Sequence, residues 1–170
     1  MKQLLEYSQK VKSDADEILK NSNLIDCLDK YGQVNIIGSY KYDLMWGPDI
    51  DIMVVCDNPR EQSLAAVKEL MNLRQFQKYQ YGDFEKFKRE NRPEAFIVVL
   101  VLPFNDQKWE VETWFVNRMP DYQAQMDKFV QSRIDDDSRL KILAMKKERE
   151  EAGVDKFGLS SVDIYKKVLS

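Results

Sequence analysis

Apolar residues recur near the start of the chain at Leu4, Leu5, Val11, Ala15, Ile18, Leu19, Leu24, Ile25 and Leu28. Their spacing is close to the 3.6-residue period of a helix that buries one face. Residues 4–28 are therefore predicted to form one or two amphipathic helices, with Asn21-Ser22-Asn23 as the break. The pattern then shortens. Val34 to Ile37 reads as a buried strand ended by Gly38, and Ile50 to Val55 as a second, β-branched strand bounded by Pro48 and Asn58-Pro59. Pro59 is well suited to open a helix running to about Arg74, capped by Asn58 or Asp57, with Leu64, Val67, Leu70, Met71 and Leu73 on its apolar face.

Beyond that helix, residues 79–89 alternate weakly and predict a strand. Ala95 to Leu102 is almost wholly apolar, as a central strand should be. Pro103 to Asp106 turns the chain, and Trp109 to Val116 is its hairpin partner. After Pro120, residues 122–130 and 140–151 read as helices, and Ser160-Ser161-Val162-Asp163 resembles a capping box opening a last helix. Asp135-Asp136-Asp137 reads as a solvated helix start, since adjacent carboxylates do not converge on one ion. The order predicts an α+β fold with α/β character: a small mixed β-sheet flanked by helices, followed by a helical C-terminal part.

With 170 residues, 44% hydrophobic and 32% charged, the chain suits one domain with a sizeable core. Two cysteines and no apolar run long enough to span a bilayer predict a cytoplasmic protein without disulfides or membrane contact. The net charge of −3, with no basic tail, argues against a nucleic-acid partner. Histidine is absent, which removes imidazole triads, histidine-bound zinc and histidine bases together. Chemistry is left to carboxylates, hydroxyls, amines or a hard metal ion.

Asp49 and Asp51 lie two apart at the mouth of a strand, so their carboxylates share a face and repel unless a cation lies between them. Magnesium suits such a pair, because it takes a few carboxylates together with phosphate oxygens and water. Glu110 and Glu112, in Trp109-Glu-Val-Glu-Thr-Trp-Phe115, share one face of a later strand and offer a third carboxylate.

Gly38-Ser39, nine residues, then Asp49-Ile50-Asp51, with an acidic strand downstream, resembles the signature of the polymerase-β-like nucleotidyltransferases. DLMWGPDIDI, WEVETWF, RLKILAMKKE and LSSVDIYKKVL together are similar to a branch of small nucleotidyltransferase-like proteins. In that branch the acidic strand reads like Trp-x-Ile-Asp-Ile-Trp, which aligns Glu112 with the third acid. Two departures stand out: Glu112 replaces the usual Asp, and Pro48 stands where Ser is common.

The resemblance implies a nucleotidyltransferase fold, with residues 1–119 as the catalytic domain and residues 120–170 as a helical segment packed on it. It implies that Gly38 and Ser39 meet a triphosphate, that Asp49, Asp51 and Glu112 are catalytic and hold two Mg²⁺ ions, and that Lys41 and Lys141 neutralise the bound nucleotide. The implied reaction moves a nucleoside monophosphate from an NTP, expected to be ATP, to a hydroxyl of a small molecule or a protein. A catalytically degenerate nucleotide-binding or regulatory protein of the same fold is the alternative, and pyrophosphate transfer or oligonucleotide synthesis a narrower one. Lys146 and Lys147 also belong to the basic series, although basic helix positions are usually a solvated face. Tyr40, Tyr42 and Trp46 have the rings to stack a base, but each alone is better explained by packing or loop anchoring.

Overall fold

A computed structural model describes residues 2–88, 93–154 and 158–170. Its elements are α1 (Lys2–Asn21), α2 (Leu24–Leu28), β1 (Gln33–Ile37), α3 (Gly38–Lys41), β2 (Asp49–Val55), α4 (Pro59–Leu73), β3 (Lys78–Asp83), β4 (Phe96–Phe104), β5 (Gln107–Val116), α5 (Asp121–Gln131), α6 (Asp136–Glu151) and α7 (Ser161–Leu169). The five strands form one sheet in the order β1-β2-β5-β4-β3. Only β2 and β5 run parallel; the other neighbours are antiparallel. This is the α+β architecture with a mixed sheet that the sequence predicts.

Strand alternation divides the sheet into two faces. Ile50, Ile52 and Val54 of β2, Val98 and Leu100 of β4, and Trp109, Val111 and Phe115 of β5 face the main core, against Val11, Ala15 and Ile18 of α1, Leu24 and Leu28 of α2, and Ala66 and Leu70 of α4. Side chains of this size each contribute about 1.5–3 kcal/mol when fully buried. The intervening residues face the other way. Met53, Ile97, Trp114 and Val116 form a smaller apolar cluster there, beside the carboxylates of β2 and β5.

A third cluster joins Tyr42 and Leu44, from the segment after β1, to Val130, Ile142, Ile164, Tyr165 and Leu169 of the last three helices. It fastens α5, α6 and α7 to the edge of the sheet that carries Gly38 and Ser39. Capping boxes start both later helices: Asp135 with Ser138 for α6, and Ser160 with Asp163 for α7. The Asp135-Asp136-Asp137 run is thus a helix start.

Three local expectations change. The buried side of α4 is Pro59, Ser63, Ala66 and Leu70, whereas Leu64 and Met71 point to solvent. Small residues let this helix sit close to the sheet, and the buried Ser63 hydroxyl is satisfied by the Arg60 carbonyl and the Tyr81 hydroxyl. The β4–β5 turn is tighter than Pro103–Asp106: only Asn105 and Asp106 form it, both with positive φ, as a two-residue hairpin loop requires. Pro103 lies within β4, beyond the last residue paired with β3, so that flank of the strand needs no amide donor there. The predicted strand over residues 79–89 ends at Asp83, and Arg89 lies outside the described residues.

Candidate functional site

β1 ends where Gly38 takes a left-handed φ of 68°, which turns the chain sharply into the one-turn α3. A Cβ at this position would stand 2.5 Å from Asp51 Oδ2. Glycine is therefore required twice over, by its backbone angle and by the passage of the main chain against a carboxylate. Ser39 follows directly at the rim of the same cavity, a space of about 260 Å³.

The carboxylates reach that cavity from two neighbouring strands. In the parallel pair, Asp51 stands opposite Glu112 and Asp49 opposite Glu110. Gly38, Ser39, Asp49, Asp51 and Glu112 all line the cavity, together with Tyr42, Trp114, Met126 and Tyr165. Glu110 is exposed and is not part of this wall, so Glu112 is the acid of β5 that shares the space with the aspartates. Three carboxylates supply hard oxygen donors of the kind Mg²⁺ takes, and Gly38 leaves them room. Among the described residues, no three acidic or cysteine side chains converge tightly enough to hold an ion.

The two lysines assigned to the nucleotide lie elsewhere. Lys41 forms an ion pair with Asp127 of α5, and Lys141 pairs with Asp137 one turn earlier on α6, its side chain 64% exposed. Neither lines the cavity. The lysine that reaches the Gly-Ser segment is Lys146, which is 1% exposed. Its ammonium donates to Ser39 Oγ at 2.8 Å, to the Leu44 carbonyl at 2.6 Å and to the Tyr165 hydroxyl at 3.1 Å.

Other cations hold the same loop from behind. Lys12 of α1 donates to the Tyr40 carbonyl at 3.2 Å, and Arg139 of α6 donates to the carbonyls of Tyr42 and Asp43 at 2.7 and 2.8 Å. The Arg139 bonds satisfy carbonyls just past the end of this short helix, and Lys12 adds a donor to a Tyr40 carbonyl that already accepts backbone amides. Asp127 ties the loop to α5 by accepting from Lys41, Tyr42 and Gln123. Burial alone would raise the Asp127 pKa, but these three donors together hold it below the usual carboxylate value. Burial, reinforced by that carboxylate, pushes the Tyr42 phenol well above its ordinary value.

The remaining aromatic candidates are anchors. Tyr40 donates to Asp16 beneath the Lys12 ammonium, while Trp46 packs on Tyr7 with ring centroids 4.5 Å apart and donates to Glu150. Tyr42 does line the cavity, with its hydroxyl already committed to Asp127. Burial pushes the Cys27 and Cys56 thiols up to about 11, as befits small buried side chains. Tyr165 and Asp127 were not visible as site residues in the sequence, where they belong only to amphipathic helical patterns.

The five-stranded mixed sheet with its flanking helices is the arrangement of the nucleotidyltransferase fold, as solved structures of similar shape show. Among solved structures, the chain is similar to one from a GLD-2/RNP-8 complex, with a TM-score of 0.60 and 11% identity over 96% of this chain and 62% of that one. A second similar chain comes from the non-canonical poly(A) polymerase complex GLD-2–GLD-3, with a TM-score of 0.61 and 10% identity over 96% of this chain and 55% of that one. At such identities the likeness establishes the fold, and the chain spans less than two thirds of either relative. No family model matches the sequence, and no curated protein does.

Proposed function

We propose that this protein is a Mg²⁺-dependent nucleotidyltransferase that moves a nucleoside monophosphate from an NTP, with ATP the first candidate, to a hydroxyl of a small molecule or a protein. The observation that carries the reading is the gathering of Gly38, Ser39, Asp49, Asp51 and Glu112 around one cavity of a nucleotidyltransferase fold. Ser39 supplies a hydroxyl, and the turn at Gly38 lets phosphate oxygens approach the backbone closely. Asp49, Asp51 and Glu112 are the residues that would hold two Mg²⁺ ions, whose role when bound is to neutralise charge on the attacking and leaving oxygens. An acidic cavity on a chain of net charge −3 favours a small or protein acceptor over a nucleic-acid strand, and a cytoplasmic setting fits such chemistry.

The test is incubation with labelled ATP, Mg²⁺ or Mn²⁺ and an acceptor panel that includes oligo(A), scored by pyrophosphate release and product mass. Asp51→Asn should cut the rate by roughly a hundredfold or more, as loss of a group needed only in the transition state does. An unchanged rate would remove Asp51 from the mechanism. A second reading is nucleotide binding without turnover, favoured by the departure at Glu112, which stands where the resembled strand carries Asp. It predicts Mg²⁺-dependent ATP binding by calorimetry with no pyrophosphate released to any acceptor.

A further inference from the structure

The sheet ends on β3, and among the described residues no strand pairs with the outer edge of β3. Phe84 donates to the Ala95 carbonyl. The alternation of an antiparallel ladder then turns the main-chain groups of Lys78, Gln80 and Gly82 toward β4 and those of Tyr79 and Tyr81 outward. Edge strands are ordinarily guarded by charge or proline, because their free amides and carbonyls accept another strand. Tyr79-Gln80-Tyr81-Gly82 carries neither.

The helix beside this edge is α4. Tyr79 donates to the Leu70 carbonyl, and the Tyr81 hydroxyl bonds to Ser63 Oγ, so α4 runs antiparallel to β3. Glu69 turns the other way, where it accepts from Lys30 and Tyr31. Leu64 and Met71 lie about 140–160° around the helix from Glu69, on the flank that overlooks the free edge. Both are exposed, as is Tyr81, and Val67 is half-buried between them.

We propose that this margin is a self-association surface, on which a second copy of the chain pairs its β3 antiparallel to the first about a two-fold axis at Gln80, with the two α4 flanks in contact alongside. Strand and helix together select that occupant. A two-fold axis normal to the sheet keeps every side chain on its own face, so Gln80 meets Gln80 of the second copy and Tyr79 meets Tyr81 of the second copy. The latter pairs exchange hydrogen bonds through the main-chain groups that point outward. Because Tyr79 stands beside Leu70 and Tyr81 beside Ser63, the axis falls level with the middle of α4, and the same rotation sets Leu64 against Met71 of the second copy.

The charges agree with this pairing. Lys78 faces Gly82 of the second copy, so no like charges oppose one another along the seam. Glu61 comes level with Arg74 of the second copy, and neither has an ion-pair partner among the described residues. The 15-residue α4 and the 6-residue β3 are each about 20 Å long. Side by side they present roughly 500 Å² of each copy, about 1,000 Å² in all, which suits a weak, concentration-dependent dimer. The cavity lined by Asp49, Asp51 and Glu112 opens on the face of the sheet away from α4 and stays accessible in such a dimer.

Sedimentation equilibrium across the micromolar range should show a monomer–dimer equilibrium. Gln80→Lys sets like charges face to face on the axis and should weaken the dimer by roughly tenfold or more. Leu64→Lys combined with Met71→Lys should weaken it at least as much. All three positions are exposed, so thermal melts of these variants at low concentration should match the unmodified protein. Both native cysteines are buried, so under mild oxidation Gln80→Cys should form an intermolecular disulfide, whereas Lys78→Cys, which faces Gly82, should not. A protein that stays monomeric throughout, with Gln80→Cys not cross-linked, would overturn the proposal and leave the edge to a different protein. A dimer untouched by Gln80→Lys and by the Leu64/Met71 pair would also overturn it, by placing association on another face. Equal cross-linking at positions 78 and 80 would overturn the two-fold axis at Gln80.

Discussion

At Gly38 a single hydrogen decides whether the loop can pass the carboxylate. Gly38→Ala places a methyl group 2.5 Å from Asp51 Oδ2 at a φ of 68°, so the strain adds to a steric clash. A loss of roughly 1–3 kcal/mol in urea unfolding is expected, together with displacement of Asp51 and loss of any transfer activity. Asp127 makes a prediction with a pH sign. Its folded pKa is lowered, so its contribution is present above the unfolded carboxylate value and is lost as pH falls through the folded one. Asp127→Asn should cost about 1–2 kcal/mol in urea unfolding at pH 7, and the gap from the unmodified protein should close as pH falls through the lowered folded pKa. At this scale the sequence was informative where spacing alone carries the geometry. Gly38-Ser39 and Asp49-x-Asp51 fall on the ends of adjacent strands, and the two-residue period fixes which carboxylates share a face. The lysines escaped the same logic. Lys141 and Lys146 lie five positions apart at roughly 100° each, so they occupy different sides of α6, and the periodicity does not say which side meets Ser39.

Among the elements, α4 separates helical periodicity from burial. Leu64 and Met71 extend an apolar stripe in sequence, but the surface pressed on the sheet is Ser63, Ala66 and Leu70. Leu70→Ala should therefore destabilise by about 2–5 kcal/mol, whereas Met71→Ala, at a residue 53% exposed, should stay within about 0.5 kcal/mol. Chemical denaturation of the two variants checks the assignment, and equal losses would reverse it. The sequence located this helix, the α7 capping box and the helix start at Asp135, because their signals are local; the Asp135–Ser138 capping box itself emerged only from the structure. It placed the β4–β5 turn too broadly, since the proline that marks a turn elsewhere is tolerated where β4 has outrun β3.

Across the whole molecule, the cluster of Tyr42, Leu44, Val130, Ile142 and Ile164 binds the late helices to the loop that begins at Gly38. All three tryptophans, Trp46, Trp109 and Trp114, precede those helices; Trp109 and Trp114 of β5 report on the sheet, while Trp46 also touches Glu150 of α6, so Trp46→Phe is the background in which the sheet is read alone. Ile142→Ala, in a helix that contributes no tryptophan, should nevertheless lower the tryptophan-detected midpoint, by an amount matching a loss of about 3 kcal/mol. An unmoved midpoint, or two separate transitions, would show that residues 120–170 unfold independently. The sequence predicted a small mixed sheet but not its order, because nothing in the pattern of β2 or β5 announces that they pair in parallel across an intervening helix and two strands.

That parallel pairing also sets when the acidic wall comes into being during folding. The β4–β5 hairpin closes through a two-residue loop and needs only local chain, but β2 meets β5 only after a long loop has closed at considerable entropic cost. Asp51 and Glu112 thus remain apart through the early steps, and their mutual repulsion falls on the step that joins β2 to a hairpin already made. If the proposed Mg²⁺ site forms, divalent cations should speed that final docking, which stopped-flow refolding with and without Mg²⁺ would measure.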